Sequence, residues 1–230
     1  TKTLINLNVP LLNLSCFELM EHDFRENTHS NILRYLFDYR LNGNISSEIL
    51  ARFIEQLRVK ESKELSSLVR LGQYAVDREI SAQGGRMDLL IQDDKNKFVI
   101  VIENKIYANI GQSSEDNQNS EPLTQLKVYK RYIERNFNRY KCLYILLSYV
   151  QIEEDYSPFI FTDYSILYNI LQSTHTDNII MNQYKLLLHS LVHNITNKRE
   201  ILKQISLLNE NKEIDINKLE KINGVLYERI

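Results

Sequence analysis

The chain has no tryptophan, two cysteines, three prolines and six glycines among 230 residues. So little glycine and proline leaves few sites for tight turns and points to long regular elements. Cys16 and Cys142 are too few and too far apart for a disulfide framework or a zinc knuckle. A basic excess is missing too: 28 Lys and Arg face 30 Asp and Glu, a formal net charge of −2. Domain-wide positive charge is the usual footprint of a nucleic-acid binder, so any such binding must come from local charge. No apolar run reaches the length of a membrane span and no signal peptide is visible. A soluble, cytoplasmic protein without a membrane partner is the expectation.

Hydrophobic residues make up 43% and charged residues 25%, close to globular averages and enough for a sizeable core. The length fits one domain, or one with a small appendage. Ile32, Leu33, Leu36 and Phe37 recur at helical spacing within residues 26–39. A second helix is expected from Ser46 to about Val59, and a shorter one ending near Leu71. Gln73–Ile80 reads as a strand, Gly84-Gly85 as a turn and Arg86–Gln92 as a second strand. After a polar turn at residues 93–96, the run Phe98-Val99-Ile100-Val101-Ile102 reads as a strand buried on both faces. Residues 109–121 are polar and read as a loop or flap. A helix from about Leu123 to Asn136 leads into a fourth strand at Cys142–Leu147, and helical patterns dominate beyond Asp163, including Ile180–Ile195.

Chemistry concentrates where the buried strand ends. Strand residues two apart share a face at roughly 6.6 Å, so Glu103 and Lys105 project together beside Val99 and Val101. Burying either one without a partner costs several kcal/mol. A divalent cation at the carboxylate offsets that cost, and Asp88 on the preceding strand offers a second carboxylate. Mg²⁺ suits such a set, since it is usually held by one or two acidic side chains plus waters and phosphate. The tripeptide alone carries little information. An acid two residues before a lysine also occurs at Glu61/Lys63, Asp93/Lys95 and Glu210/Lys212. Only Glu103-Asn104-Lys105 follows a buried strand with an aspartate on the strand before it.

The segments Arg86-Met87-Asp88-Leu89-Leu90-Ile91, Val101-Ile102-Glu103-Asn104-Lys105-Ile106-Tyr107-Ala108, and Gln125-Leu126 with Tyr129 resemble the PD-(D/E)XK nuclease superfamily. The closer likeness is to its bacterial branch with a GRxD, IENKI and QLxxY signature. That branch carries a Glu and a His-Ser pair on an N-terminal helix, matched by Glu26 and His29-Ser30, and an acid on the first strand, matched by Glu79. The resemblance covers about residues 24–150. It implies a restriction-endonuclease-like α/β core, a mixed central sheet flanked by helices, with N-terminal helices over residues 1–162. Residues 163–230 are expected to form a helical C-terminal segment packed on that core.

The implied activity is Mg²⁺-dependent hydrolysis of phosphodiester bonds, with Mn²⁺ as a substitute and DNA rather than RNA as substrate. Bacterial restriction, repair or anti-phage defence is the implied setting. Asp88, Glu103 and the Asn104 carbonyl are the expected metal ligands, Lys105 handles the attacking water and Gln125 positions it. The polar stretch 109–121 separates Gln125 from the lysine strand by more than the family pattern does. The rival readings are a silent or partner-dependent nucleic-acid or protein-binding module of a larger complex, and an RNase.

Gln125 lies on the same helical face as Val128, Tyr129, Tyr132 and Ile133, where its amide needs partners from the site or from backbone. Glu26 shares a face with Leu33 and Phe37; it either reaches the site or belongs to an N-terminal capping cluster. Arg86 either pairs with a carboxylate or contacts phosphate. Lys127, Lys130, Arg131 and Arg135 form a basic arc that is either a solvated face or a phosphate contact, with Lys127 and Arg131 the chosen nucleic-acid candidates. His189 and His193 are four apart, but Ser190 stands where a zinc protease carries Glu. The helices after Asp163 are candidates for a homodimer or partner interface.

Overall fold

The structure is a computed structural model, and it describes residues 14–82, 85–106, 125–152 and 155–193. The polar stretch 109–121 and the Glu210/Lys212 pair lie outside the described residues. The described elements group into two compact units, Phe24–Thr176 and a smaller one containing α1 (Cys16–Leu19) and α8 (Ile179–Val192). In the smaller unit, Ser15 and Glu18 form a reciprocal capping box. The buried Glu18 also accepts from the Ser190 hydroxyl at 2.8 Å, and Phe17 meets Tyr184 edge to face at 6.3 Å.

The larger unit is built on a five-stranded sheet in the order β1 (Ala75–Ala82), β2 (Gly85–Asp93), β3 (Phe98–Lys105), β4 (Lys141–Ser148) and β5 (Ile160–Asp163). The pairs β1/β2 and β2/β3 are antiparallel, while β3/β4 and β4/β5 are parallel. Helices flank this mixed sheet, the restriction-endonuclease-like α/β arrangement expected. The fifth strand has no counterpart among the expected elements: four residues of Ile-Phe-Thr-Asp directly before a helix give too short a pattern to register.

All eight residues of β3 are buried, as its central place between an antiparallel and a parallel neighbour requires. Its two faces meet different helices. Val99 and Val101 join the cluster of Leu126, Val128, Tyr129 and Ile133 from α6 (Gln125–Asn136). Asn104, on the other face, bonds α2 (Glu26–Phe37) and α7 (Tyr164–Gln172).

The helix expected over residues 26–39 is shorter than its pattern. It stops at Phe37, because Asp38 turns out of the helix to accept from the Arg40 amide and cap α3 (Tyr39–Asn42). Gly43, at φ +60°, then lets the chain turn into α4 (Asn44–Gln56). α5 (Ser62–Val69) packs beside α4, joined through Arg70 to Glu48 and Glu55 at 2.9 and 2.7 Å. Among the described residues no helix is long and apolar enough to cross a membrane.

Candidate active site

The site forms where β2 and β3 part. Their ladder runs from Asp93↔Phe98 to Leu89↔Ile102 and ends there, while β3 stays paired with β4 through Glu103↔Leu146, Asn104↔Leu147 and Lys105↔Ser148. Across the gap the Asn104 amide donates to Asp88 Oδ2 at 2.8 Å, so a carboxylate takes the place of a strand carbonyl. On the far side of β2, Arg78↔Leu89 and Ile80↔Met87 bracket Glu79. Glu79 sits at φ +54°, a left-handed conformation that costs a non-glycine residue ~1–2 kcal/mol.

Glu103 is 1% exposed. Its Oε1 lies 2.8 Å from Lys105 Nζ, while Oε2 is buried with no hydrogen-bond partner among the described residues. Burial, reinforced by the Asp88 charge, pushes the Glu103 carboxyl up against the pull of Lys105. Asp88 is likewise raised by burial, against the Asn104 amide and Lys105. For Lys105 burial pulls downward, but Glu103's charge and hydrogen bond outweigh it and the ammonium is held above its ordinary value.

These groups fit a divalent cation. A buried carboxylate oxygen left bare by the described residues and two carboxyls raised by lost solvation, Glu103 also by the Asp88 charge, are the strains that a bound positive charge relieves. No group of three or more His, Cys, Asp or Glu side chains stands ready to hold a metal among the described residues. Asp88 and Glu103 together offer two carboxylates, the number Mg²⁺ usually takes from protein before waters and phosphate complete its shell.

Glu26 is tied to the same strand end. Its Oε1 accepts from the Ile106 amide at 3.1 Å, and its main-chain carbonyl accepts from Asn104 Nδ2 at 3.2 Å. His29 is fully buried and meets the Tyr164 ring edge to face at 5.5 Å.

Gln125 opens α6 and donates through Nε2 to the Tyr129 hydroxyl, which in turn donates to the Arg86 carbonyl at 2.5 Å. The Tyr129 hydroxyl is held well above its ordinary range, first by burial and then by the Glu103 charge, which ties this chain of bonds electrostatically to the carboxylates. Gly85 belongs to it as well: a β-carbon there would lie 2.9 Å from the Tyr129 ring. Gly85 and Arg86 on β2 are therefore coupled by contact to Gln125 and Tyr129 on α6, and Asp88 acts on Tyr129 through its charge.

Arg86 is exposed and its Nη1 lies 3.2 Å from Glu79, so of the two readings the structure displays a carboxylate pair. Lys127 reaches Asp155 at 3.5 Å and Lys130 reaches Glu134 at 3.6 Å, both exposed pairs of little energetic weight. Arg131 is exposed. The His189 and His193 rings lie 4.5 Å apart between centroids, tilted by 54°.

Two contributors have no mark in the sequence. Arg78 links β1 to α2 by donating to Asn31 and, at 3.3 Å, to Asn27, and its charge acts on Asp88. Tyr164 donates to Asn104 Oδ1. Neither carries a local signal, since both contacts span more than 45 residues.

Among solved structures, "SUMO protease Ulp1 with the catalytic cysteine oxidized to a sulfenic acid" aligns at 10% identity over 74% of this chain and 83% of that one. Its TM-score of 0.18 carries no argument about fold or function. No curated protein matches the chain. The sequence model of the PD-(D/E)XK nuclease superfamily does match, over residues 14–213. The chain belongs to the PD-(D/E)XK nuclease superfamily.

Proposed function

We propose that the protein is a Mg²⁺-dependent nuclease that hydrolyses phosphodiester bonds of DNA. The observation that supports this reading is the buried Oε2 of Glu103, without a partner among the described residues, with the Asp88 charge acting on it and Lys105 on the same face. Asp88 and Glu103 would hold the cation, together with the Asn104 main-chain carbonyl. A divalent ion bound there supplies Lewis-acid polarisation of the phosphate and acidifies its water. Lys105 projects its ammonium from the same strand end, held in charge by Glu103, where it can orient the attacking water and stabilise charge on phosphorus. Gln125, bonded to Tyr129 one turn on, would position that water. Arg86, Lys127 and Arg131 expose cationic heads for the phosphate backbone. The settings to test are restriction, repair and anti-phage defence in the bacterial cytoplasm, by analogy with the superfamily.

The near-neutral charge, with a sequence pI of about 6.2, favours a second reading in which the domain works only with a partner. One experiment separates the two. Purified protein and Lys105→Ala are incubated with plasmid, single-stranded DNA and RNA in Mg²⁺, Mn²⁺ or EDTA. Metal-dependent cleavage of DNA by the wild type alone is expected. Cleavage that persists in EDTA or in the variant overturns the mechanism, and cleavage of RNA alone changes the substrate. Cleavage of nothing favours partner dependence.

A further inference from the structure

Asn104 is fully buried, and its side chain points away from the candidate site, toward α2 and α7. Every hydrogen-bonding group on that side chain is engaged. Nδ2 donates to the Ser30 hydroxyl at 3.0 Å and to the Glu26 carbonyl at 3.2 Å. Oδ1 accepts from the Tyr164 hydroxyl. The main-chain amide of the same residue donates to Asp88 Oδ2 at 2.8 Å. Tyr164 is itself 1% exposed and lies edge-on to the His29 ring.

This arrangement matters because of what β3 lacks at that point. Beyond Leu89↔Ile102 the strand has no ladder with β2, so residues 103–105 are hydrogen-bonded as a strand on the β4 side only. A strand held along one edge can roll about its axis. Glu103 and Lys105 alternate with Asn104, so any roll of Asn104 swings both of them together. The Asn104 side chain is the handle by which that roll is fixed, and Tyr164 supplies the hydroxyl donor that Oδ1 accepts from.

The geometry points to Tyr164 as a positioning residue: its hydroxyl sets the roll of the Glu103–Lys105 segment and thereby the aim of Glu103 and Asp88 at a divalent cation. This rests on the proposed metal site, and the test reads metal binding apart from cleavage. Mn²⁺ affinity is measured by electron paramagnetic resonance of free Mn²⁺, for wild type, Tyr164→Phe and Ser30→Ala, alongside melting in EDTA.

Tyr164→Phe should weaken Mn²⁺ binding about tenfold and raise the metal concentration for half-maximal cleavage equally. The KM for DNA should be unchanged, and kcat should return to within about twofold of wild type at saturating Mn²⁺. A purely structural role would lower the melting temperature and depress kcat at every metal concentration. Ser30→Ala removes a different bond to the same side chain and should show the same metal-dependent defect; it decides the matter if Tyr164→Phe does not fold. Wild-type Mn²⁺ affinity in a folded Tyr164→Phe, or in Ser30→Ala when it stands in, overturns the inference. Wild-type protein that binds Mn²⁺ but cleaves nothing sinks the nuclease reading and leaves this one standing. Wild-type protein that binds no Mn²⁺ overturns both.

Discussion

Asp93 and Glu103 stand at opposite ends of the hairpin made by β2 and β3, and both are almost wholly buried, at 0% and 1% exposure. Each also begins an acid-x-lysine tripeptide. At Asp93 the lone pairs are engaged. Oδ1 accepts from the Lys95 and Asn96 amides at 2.9 and 2.8 Å, and Oδ2 accepts from Asn96 Nδ2 at 2.7 Å. Glu103 has Lys105 on one oxygen and no partner among the described residues on the other. The first carboxylate is complete as part of a turn. The second keeps an oxygen that the described residues leave bare, and the proposed cation site rests on that oxygen.

Substitution at the two ends separates them most sharply. Glu103→Gln and Asp88→Asn should each reduce metal-dependent DNA cleavage on the order of 10³-fold, the loss expected when several kcal/mol of charge stabilisation disappears. Asp93→Asn should leave it within about threefold. Gel-based initial rates at saturating Mg²⁺ read this, and an equal loss at Asp93 would erase the distinction.

Stability should show the reverse ordering. Asp93→Ala strips three donors of their acceptor and should lower the unfolding free energy by about 1–3 kcal/mol, measured by urea titration in EDTA. A change well below that range would mean that Asp93 is as incomplete as Glu103.

Protons give a third and smaller contrast. Glu103, pushed up to about 8 by burial and the Asp88 charge, keeps a proton in the fold at pH values where the unfolded chain has released it. The stability this contributes is present at and below the ordinary carboxylate range and is lost as pH rises toward about 8. Melting temperature in EDTA should therefore decline between about pH 5 and about pH 8, and Glu103→Gln should flatten that decline. Added Mn²⁺ should raise the melting point more at about pH 8 than at about pH 5, because cation and proton compete for the same oxygen. Equal slopes for wild type and variant would assign the decline to other groups.

The smallest effect belongs to the exposed arc. Replacing Lys127 or Arg131 by Ala should leave cleavage chemistry alone and reduce the salt slope of DNA binding by about 0.9 for each phosphate no longer neutralised. A slope unchanged in both variants makes the arc a solvated face.

Residues whose role follows from periodicity are legible in the sequence. The β-branched run 98–102 announces a central strand, and its strand spacing puts Glu103 and Lys105 on one side and Asp88 on the neighbouring strand. The inward face of α6 brings Tyr129 to the sheet in the same way. What stays hidden depends on distances that no local pattern encodes. Asn104 enters the sequence reading through its main-chain carbonyl alone, yet its side chain binds both α2 and α7. Asp38 reads as helical, yet its carboxylate finds a better partner in the Arg40 amide and guanidinium. The separation of β2 from β3 has no signature, because Leu89 and Ile102 resemble the strand residues around them.

That separation has a mechanical side. The hairpin is a two-armed clip, locked at its closed end by Asp93's bonds to the turn. At the other end, where the ladder has stopped, it is bridged by the Asn104 amide's bond to Asp88, with Asp88 and Glu103 on opposite arms. The spacing at the open end is set by how rigidly the closed end is clamped and by how firmly each arm is braced from behind. Metal affinity should therefore respond to the stiffness of a turn at the far end of the ladder, with no contact between the two.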